Sequence, residues 1–501
     1  MPMTALQYRP GVVKDDTPSA SEGAWTDADK VRFVQGRPQT VGGWERAVMS
    51  AFGGMCRGLH AWAINGSWAV AVGTHTGLYV LYGGVLYDIT PVGLAAGLPD
   101  GTGGAGFGTG AFGAGTFGQG AAAQYYPRTW SFANYGPDLL ACPRGGTIYR
   151  WTGNTSAPAL PLSGAPSQVD TIMLDPNGIL HAVGSHDGTS FVPLLDRWSD
   201  IEILTDWSPS LADQAGDYPI RTSSRLVRGL PSRGQNLLWT DDGLVVQRYT
   251  GDPALVYSFV PIATGCGLIG AQAAVDVNGT AYWLSGDGNF YAFAGGAVQP
   301  IPCPVRRYVV ENLSFVQADK IVAFANAAFN EVGWLYPDRR DGNECSRYVL
   351  YNYAENHWTI GTTDRTCRID GGVLPSPLSA SVDGKLYFEE RGHSADGAPL
   401  AWSLTGSRVE IGAGDTLLEV QEIRPDFQRL VGGADLCFDA YAYPQSPPAT
   451  HGPFTVTSGT EALYPLVAAR QISVRLQGNS SPADMRLGAL RLDVIDTGDR
   501  V

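Results

Sequence analysis

Between residue 57 and about residue 405 one pattern keeps returning: a short β-prone run, a tight turn, an aromatic-rich run, another turn, and a closing apolar run. The first copy runs Leu59-His-Ala-Trp-Ala, Asn65-Gly66, Trp68-Ala-Val-Ala-Val, Thr76-Gly77, Leu78-Tyr-Val-Leu-Tyr, Gly83-Gly84 and Val85-Leu-Tyr. That predicts four strands and three hairpin turns, and Asn-Gly is a strong two-residue hairpin signal. A four-stranded antiparallel unit of about 40–50 residues has the size of a propeller blade. Such a sheet cannot bury both faces alone, whereas radial stacking covers the faces and shelters the edges. Later copies start near Trp130, Thr171, Leu237, Ala273, Ile321 and Leu378. The pattern predicts an all-β chain built on a β-propeller of six or seven blades, with most of its Trp and Tyr residues in the core between blades.

Composition supports short strands over long helices. There are 64 glycines and 33 prolines, and charged residues make up only 16%. Solvated helices need Glu, Lys and Arg on their outer faces, and this chain holds only four lysines. One helix is predicted, over Pro304–Leu313, with proline in its first turn. The net charge of −14 disfavours a basic duplex-DNA-binding module, because phosphate contacts supply most of such affinity. The seven cysteines are scattered and include no CxxC pair, which predicts buried thiols in a reducing compartment in place of a zinc site or disulfide framework. No stretch approaches the ~18 apolar residues of a membrane span, and Met1-Pro-Met-Thr-Ala-Leu-Gln-Tyr does not read as a signal peptide.

Three segments depart from the blade pattern. Residues 1–50 form a polar arm carrying two tryptophans, Trp25 and Trp44. Residues 51–408 are assigned to the propeller. Residues 409–501 show period-two alternation in Leu417-Leu-Glu-Val-Gln-Glu-Ile, Leu436-Cys-Phe-Asp-Ala-Tyr-Ala-Tyr and Gln471-Ile-Ser-Val-Arg-Leu, which predicts a separate β-sandwich. A low-complexity tract within residues 97–124 interrupts the propeller, and its Phe107, Phe112 and Phe117 recur every five residues in nearly pure Gly, Ala and Thr. Such a tract has too few large side chains to pack a core.

Motifs for chemistry are weak. Gly108-Thr-Gly-Ala-Phe-Gly113 matches GxGxxG but lacks the flanking strand and helix of a dinucleotide site. The seven histidines are isolated, and HExxH, GxSxG and Walker sequences are missing. Ser185-His-Asp-Gly-Thr-Ser-Phe191 faintly resembles the Asp-box turn of sialidases, one residue short and in a single copy; turn chemistry suffices to explain it. The expectation is a protein that is not an enzyme, with no catalytic residue, cofactor or metal.

The arm carries the most specific signal. Glu22-Gly-Ala-Trp-Thr-Asp-Ala-Asp-Lys-Val-Arg-Phe33, Gly36-Arg-Pro38 and Val41-Gly-Gly-Trp44 resemble the opening of a tail nozzle, or tail hub (tubular protein B-like), family of short-tailed podovirus bacteriophages. That family reads roughly GGWxDxDKVRFxxGxPxxIGGW, from which this chain departs by Ala24 and Val41. Trp130-Ser-Phe-Ala-Asn-Tyr-Gly, Leu139-Leu-Ala-Cys-Pro-Arg-Gly-Gly146, Tyr249-Thr-Gly-Asp-Pro253 and Cys266-Gly-Leu-Ile-Gly270 continue the resemblance. Phe329-Asn-Glu-Val332, Tyr351-Asn-Tyr-Ala-Glu-Asn-His-Trp358 and Arg486-Leu-Gly-Ala-Leu-Arg-Leu-Asp-Val494 extend it over nearly the whole chain.

The resemblance implies a propeller with a β-sandwich platform formed by the C-terminal region and the arm. It further implies a structural virion protein: a homohexameric ring below the adaptor ring, anchoring tail fibres or spikes, retaining packaged DNA and conducting it during ejection. Assembly would take place in the host cytoplasm, and genomic duplex DNA would pass the lumen without sequence-specific binding. Within that reading Trp25 and Trp44 are candidate subunit or adaptor contacts, Phe107, Phe112 and Phe117 a candidate channel gate, and the bore is expected to be net acidic. The competing readings are a propeller-type glycan hydrolase, which needs converging carboxylates on one face, and a carbohydrate-binding or other non-viral propeller module.

Overall fold

Local turn chemistry sets the hairpins. Asn65-Gly66 and Asn278-Gly279 hold both residues at positive φ, 48° and 79° in the first pair and 53° and 81° in the second. That is the geometry of a type I′ turn, whose twist matches the strands it joins. In the computed structural model, which describes residues 3–17, 20–102, 125–210, 213–252, 254–410, 417–443 and 445–496, four-stranded antiparallel sheets recur seven times. The first blade is Cys56–Ile64, Ser67–Thr74, Leu78–Tyr82 and Val85–Asp88. The next five span residues 130–161, 169–219, 226–264, 274–301 and 322–362. In each of these six the strands follow chain order across the sheet. First strands of successive blades touch from one through four, and again from five through seven and back to one, so the first strands surround a common axis.

The seventh blade closes the ring with chain from both ends. Arg365–Ile369, Leu378–Ser381 and Leu386–Glu389 supply three strands, and Trp44–Arg46 supplies the fourth. Its register pairs Glu389 with Trp44 and Tyr387 with Arg46. The sequence reading placed residues 1–50 outside the blades; the structure puts these three residues inside one. Three residues are too few to show a period, and their partner lies over 340 positions away.

The sandwich likewise draws on both ends. One sheet orders Val467–Ala469, Leu418–Val431, Asp484–Asp496, Arg37–Thr40 and Val31–Val34, with Thr4–Leu6 also on the 484–496 strand. The other orders Arg9–Val12, Ala24–Asp29, Leu400–Gly406, Gln471–Ser480, Ala434–Tyr441 and Ala449–Val456. Leu400–Gly406, read from sequence as the end of the propeller, pairs along its length with Gln471–Ser480 and belongs to the sandwich. Its buried Leu400, Trp402 and Leu404 alternate with more exposed neighbours, a pattern that suits a sandwich face as well as a blade.

The aromatic runs do pack between blades. Trp239 of blade four meets Trp283 of blade five edge-on at 5.6 Å, and Phe290 of blade five lies 4.7 Å from Trp334 of blade six. All four rings are buried, and such contacts add about 0.5–1.5 kcal/mol each beyond the area they bury. The expected helix forms over Arg306–Asn312 between blades five and six, burying Val309. All seven cysteines are free thiols and six are buried.

Candidate functional site

The residues that carry the arm's sequence signature converge on the joint between sandwich and propeller. Arg32 is the hub. Its side chain is 2% exposed, because strand Val31–Val34 is covered on one side by blade six. The guanidinium grips Glu390, with Nη1 donating to Oε2 at 3.0 Å and Nη2 to Oε1. It lies 3.8 Å over the Phe329 ring, and its Nε is 3.4 Å from Glu331 Oε1. Phe329 and Glu331 are the Phe-Asn-Glu-Val segment singled out from sequence. Asn330 between them sits at φ 55°, a left-handed turn that Asn tolerates.

The rest of the arm is fastened in the same way. Asp29 accepts from the Thr362 backbone N–H at 2.7 Å, and Lys30 Nζ donates to the Thr362 carbonyl at 3.0 Å. Gln35 and Gly36 donate their backbone N–H groups to the two oxygens of Glu355, at 2.9 and 3.0 Å. Glu355 belongs to the Tyr351–Trp358 segment, so a second pair of sequence signatures meets here. Gly42 donates to Glu390 at 3.0 Å, and a Cβ there would come within 2.7 Å of the Glu390 Cα. A Cβ on Gly43 would collide with the Ser394 backbone. The Gly-Gly step is required by close approach of two backbones. From the C-terminal segment, Arg486 donates to Gln39 Oε1 at 2.9 Å.

Arm, blade six and blade seven together enclose a cavity of about 360 Å³ lined by Lys30, Arg32, Glu331, Arg365, Arg368 and Glu390, among others. The carboxylates respond oppositely to the enclosure. Burial pushes Glu331 up to about 7, against the pull of the Arg32 charge. Burial also opposes ionisation of Glu390, but the charge and hydrogen bonds of Arg32 outweigh it and hold that carboxyl down at about 2. Arg32 donates well-aligned bonds to Glu390 only. Four cations and four carboxylates line the pocket, which makes it a structural ion-pair network and gives it no poised nucleophile.

A second polar cluster lies between blades three and four. His181 Nδ1 lies 3.1 and 3.2 Å from the two Asp196 oxygens, and its Nε2 is 3.1 Å from the Tyr257 hydroxyl. That hydroxyl donates to Asp175 at 2.8 Å, and Gln247 donates to Asp196 at 2.8 Å. The arrangement has the residue types of a proton relay. His181, Asp196 and Gln247 are however 0% exposed and line neither large cavity, so no substrate reaches them. Among the described residues no group of three or more His, Cys, Asp or Glu could hold a metal ion.

The residues marked from sequence fare differently. Trp25 is 2% exposed and stacks on Tyr8 at 4.3 Å; it anchors the sandwich interior and has no face left for a neighbour, contrary to its reading as an interface residue. The arm is expected from sequence to join the C-terminal region in the sandwich, and its strands do lie in both sheets; the expectation that Trp25 stays exposed there is what differs, because the sheet closes over it. Trp44 is half-buried, with the Arg365 guanidinium 4.9 Å from its ring, and lines the joint cavity. Phe107, Phe112 and Phe117 lie outside the described residues. At Ser185–Phe191, Asp187 accepts from the backbone N–H of Thr189 and Ser190 at 2.6 and 2.8 Å, an ordinary Asx turn. Arg32, Glu331 and Glu390 were not marked individually; an arginine inside a strand of otherwise buried residues was the available signal.

No family model matches the chain, and no curated protein matches it. Solved structures that resemble it include the Neurospora crassa Pan2 WD40 domain, at 9% identity over 70% of this chain and 94% of that one, with a TM-score of 0.39. The WD40 β-propeller domain of Doa1 resembles it at 11% identity over 69% and 97%, also with a TM-score of 0.39. A chain of a mitotic checkpoint complex matches at 11% identity over 64% and 86%, with a TM-score of 0.38. No function passes from these proteins to this chain.

Proposed function

We propose that this chain is a structural virion protein, the tail nozzle subunit of a short-tailed bacteriophage, which assembles as a six-membered ring beneath the adaptor, carries fibres or spikes, and retains and then conducts the genome. One observation carries the reading. Three of the segments that resemble the nozzle family meet at one joint, with Asp29, Lys30, Arg32, Gly36 and Gly42 from the arm and Glu331 and Glu355 from blade six among its fastenings, while Arg486 of a fourth segment ties the arm's Gln39 into the sandwich sheet. A signature made of fastenings suits a protein whose task is to hold two bodies in fixed relation under load. Nothing in the joint is arranged for bond making or breaking, and the proposed role needs no catalysis.

The test is stoichiometry and place. Co-expression with a matching portal and adaptor, followed by negative-stain imaging of the purified tails, is expected to show six copies in a ring at the distal end of the channel. A different symmetry, or a protein that never joins the particle, would refute the assignment.

A further inference from the structure

The axis of the propeller holds a cavity of about 720 Å³, walled by the first strand of every blade. A guanidinium without an ionic partner projects into it. Arg228, on the first strand of blade four, donates from Nη1 to the Ala274 carbonyl at 3.0 Å. Among the described residues no carboxylate forms an ion pair with it. Burial alone draws Arg228 down to about 10, and no neighbouring carboxylate offsets that shift; it is still a cation at neutral pH. An arginine has five N–H donors. One is satisfied by protein, and the others are left to whatever fills the channel.

Arg368 of blade seven borders both this cavity and the joint cavity, and its charge is turned to the joint, where Nη2 forms an ion pair with Glu390. Arg368 therefore leaves Arg228 as the cation of the axial cavity that has no ion pair among the described residues. The channel also contains two carboxylates, and both are engaged at strand ends. Asp276 accepts from Ser232 Oγ at 2.6 Å and from the Gly279 N–H at 2.9 Å. Asp370 accepts from the N–H groups of Gly371 and Ala327 at 2.7 and 3.3 Å. His60 pairs with Asn134 at 3.2 Å, and burial lowers it to about 4, so it adds no charge.

We propose that the axial channel of the propeller is a binding site for a small oxyanion, a phosphate or carboxylate group, held chiefly by Arg228. Guanidinium matches such groups in charge and in planar two-point geometry. Arg228 is half-buried, so its spare donors remain open to the cavity and to an anion entering it. The site concerns the propeller alone and stands independently of the virion reading.

The full chain should be titrated calorimetrically with inorganic phosphate, and separately with acetate, with chloride held at equal ionic strength as the reference. Saturable binding is expected, and the stronger of the two titrants identifies the source chemistry. Arg228→Gln should weaken it roughly tenfold to a hundredfold, the worth of one or two charge-assisted hydrogen bonds. Since Arg228 leaves no carboxylate orphaned, this variant is expected to fold with an unchanged circular dichroism spectrum. Arg307→Gln removes the same charge from a side chain 71% exposed on the surface and should leave binding intact. No saturable heat with either anion overturns the proposal. Equal weakening in both variants also overturns it, because it would show a general effect of charge.

Discussion

Arg32 faces two carboxylates and satisfies one, and the imbalance makes the joint sensitive to pH. Glu331, raised to about 7, binds its proton more readily folded than unfolded, where a glutamate titrates near about 4.3. Its contribution is therefore complete below that value and is lost as pH rises through about 7. Glu390, lowered to about 2, behaves oppositely: its contribution is present above about 4.3 and is lost as pH falls through about 2. Glu331→Gln should flatten the dependence of urea-unfolding stability between pH 5 and 8 and raise stability at pH 8 by about 1–2 kcal/mol. An unchanged slope would show that Glu331 does not titrate there. The His181 cluster makes a separate prediction. Tyr257→Phe strips a hydroxyl that lies between His181 and Asp175, leaving buried polar atoms unsatisfied. Thermal unfolding should report a loss of about 1–3 kcal/mol, with no pocket exposed and secondary structure retained.

At the level of elements, the short strand Trp44–Arg46 is the latch of the ring. It completes blade seven through three residue pairs, and it follows directly on the Gly42-Gly43 step that lets the arm pass against Glu390 and Ser394. Gly43→Val would drive a side chain into backbone that cannot yield. A destabilisation of about 1–3 kcal/mol is expected from such overpacking, together with faster proteolytic cleavage near residues 40–47. Cleavage at the wild-type rate would mean that the arm does not depend on this passage. The elements that were legible in sequence are those with local causes. Asn65-Gly66 specifies its hairpin because two consecutive left-handed residues suit few other pairs. The latch was illegible because nothing within three residues announces a partner at the far end of the chain.

For the whole molecule, charge is the property that acts at a distance. Each chain carries −14, so a ring of six in the proposed assembly would gather −84. Repulsion among the copies acts over a Debye length of about 30 Å at 0.01 M salt and about 8 Å at 0.15 M. Self-association should therefore strengthen as salt rises across that range, measured by sedimentation velocity at fixed protein concentration. Association that weakens instead would mean that cross-subunit ion pairs govern the interface.

Strand content, the blade repeat and the buried place of most tryptophans were determined by the sequence itself, because hairpin turns and two-residue periodicity are short-range properties. Trp25 marks where such reading ends. Its local context is polar, with Thr26, Asp27 and Asp29 close behind it, and only the closing of the sandwich around Tyr8 makes it a core residue. The number of blades, the latch, the exchange of Leu400–Gly406 from propeller to sandwich, and the meeting of Arg32 with Glu331 and Glu390 were all decided by tertiary structure. Their partners lie from about 70 to more than 340 positions away along the chain, and no local preference encodes which distant strand edge or carboxylate a segment will find.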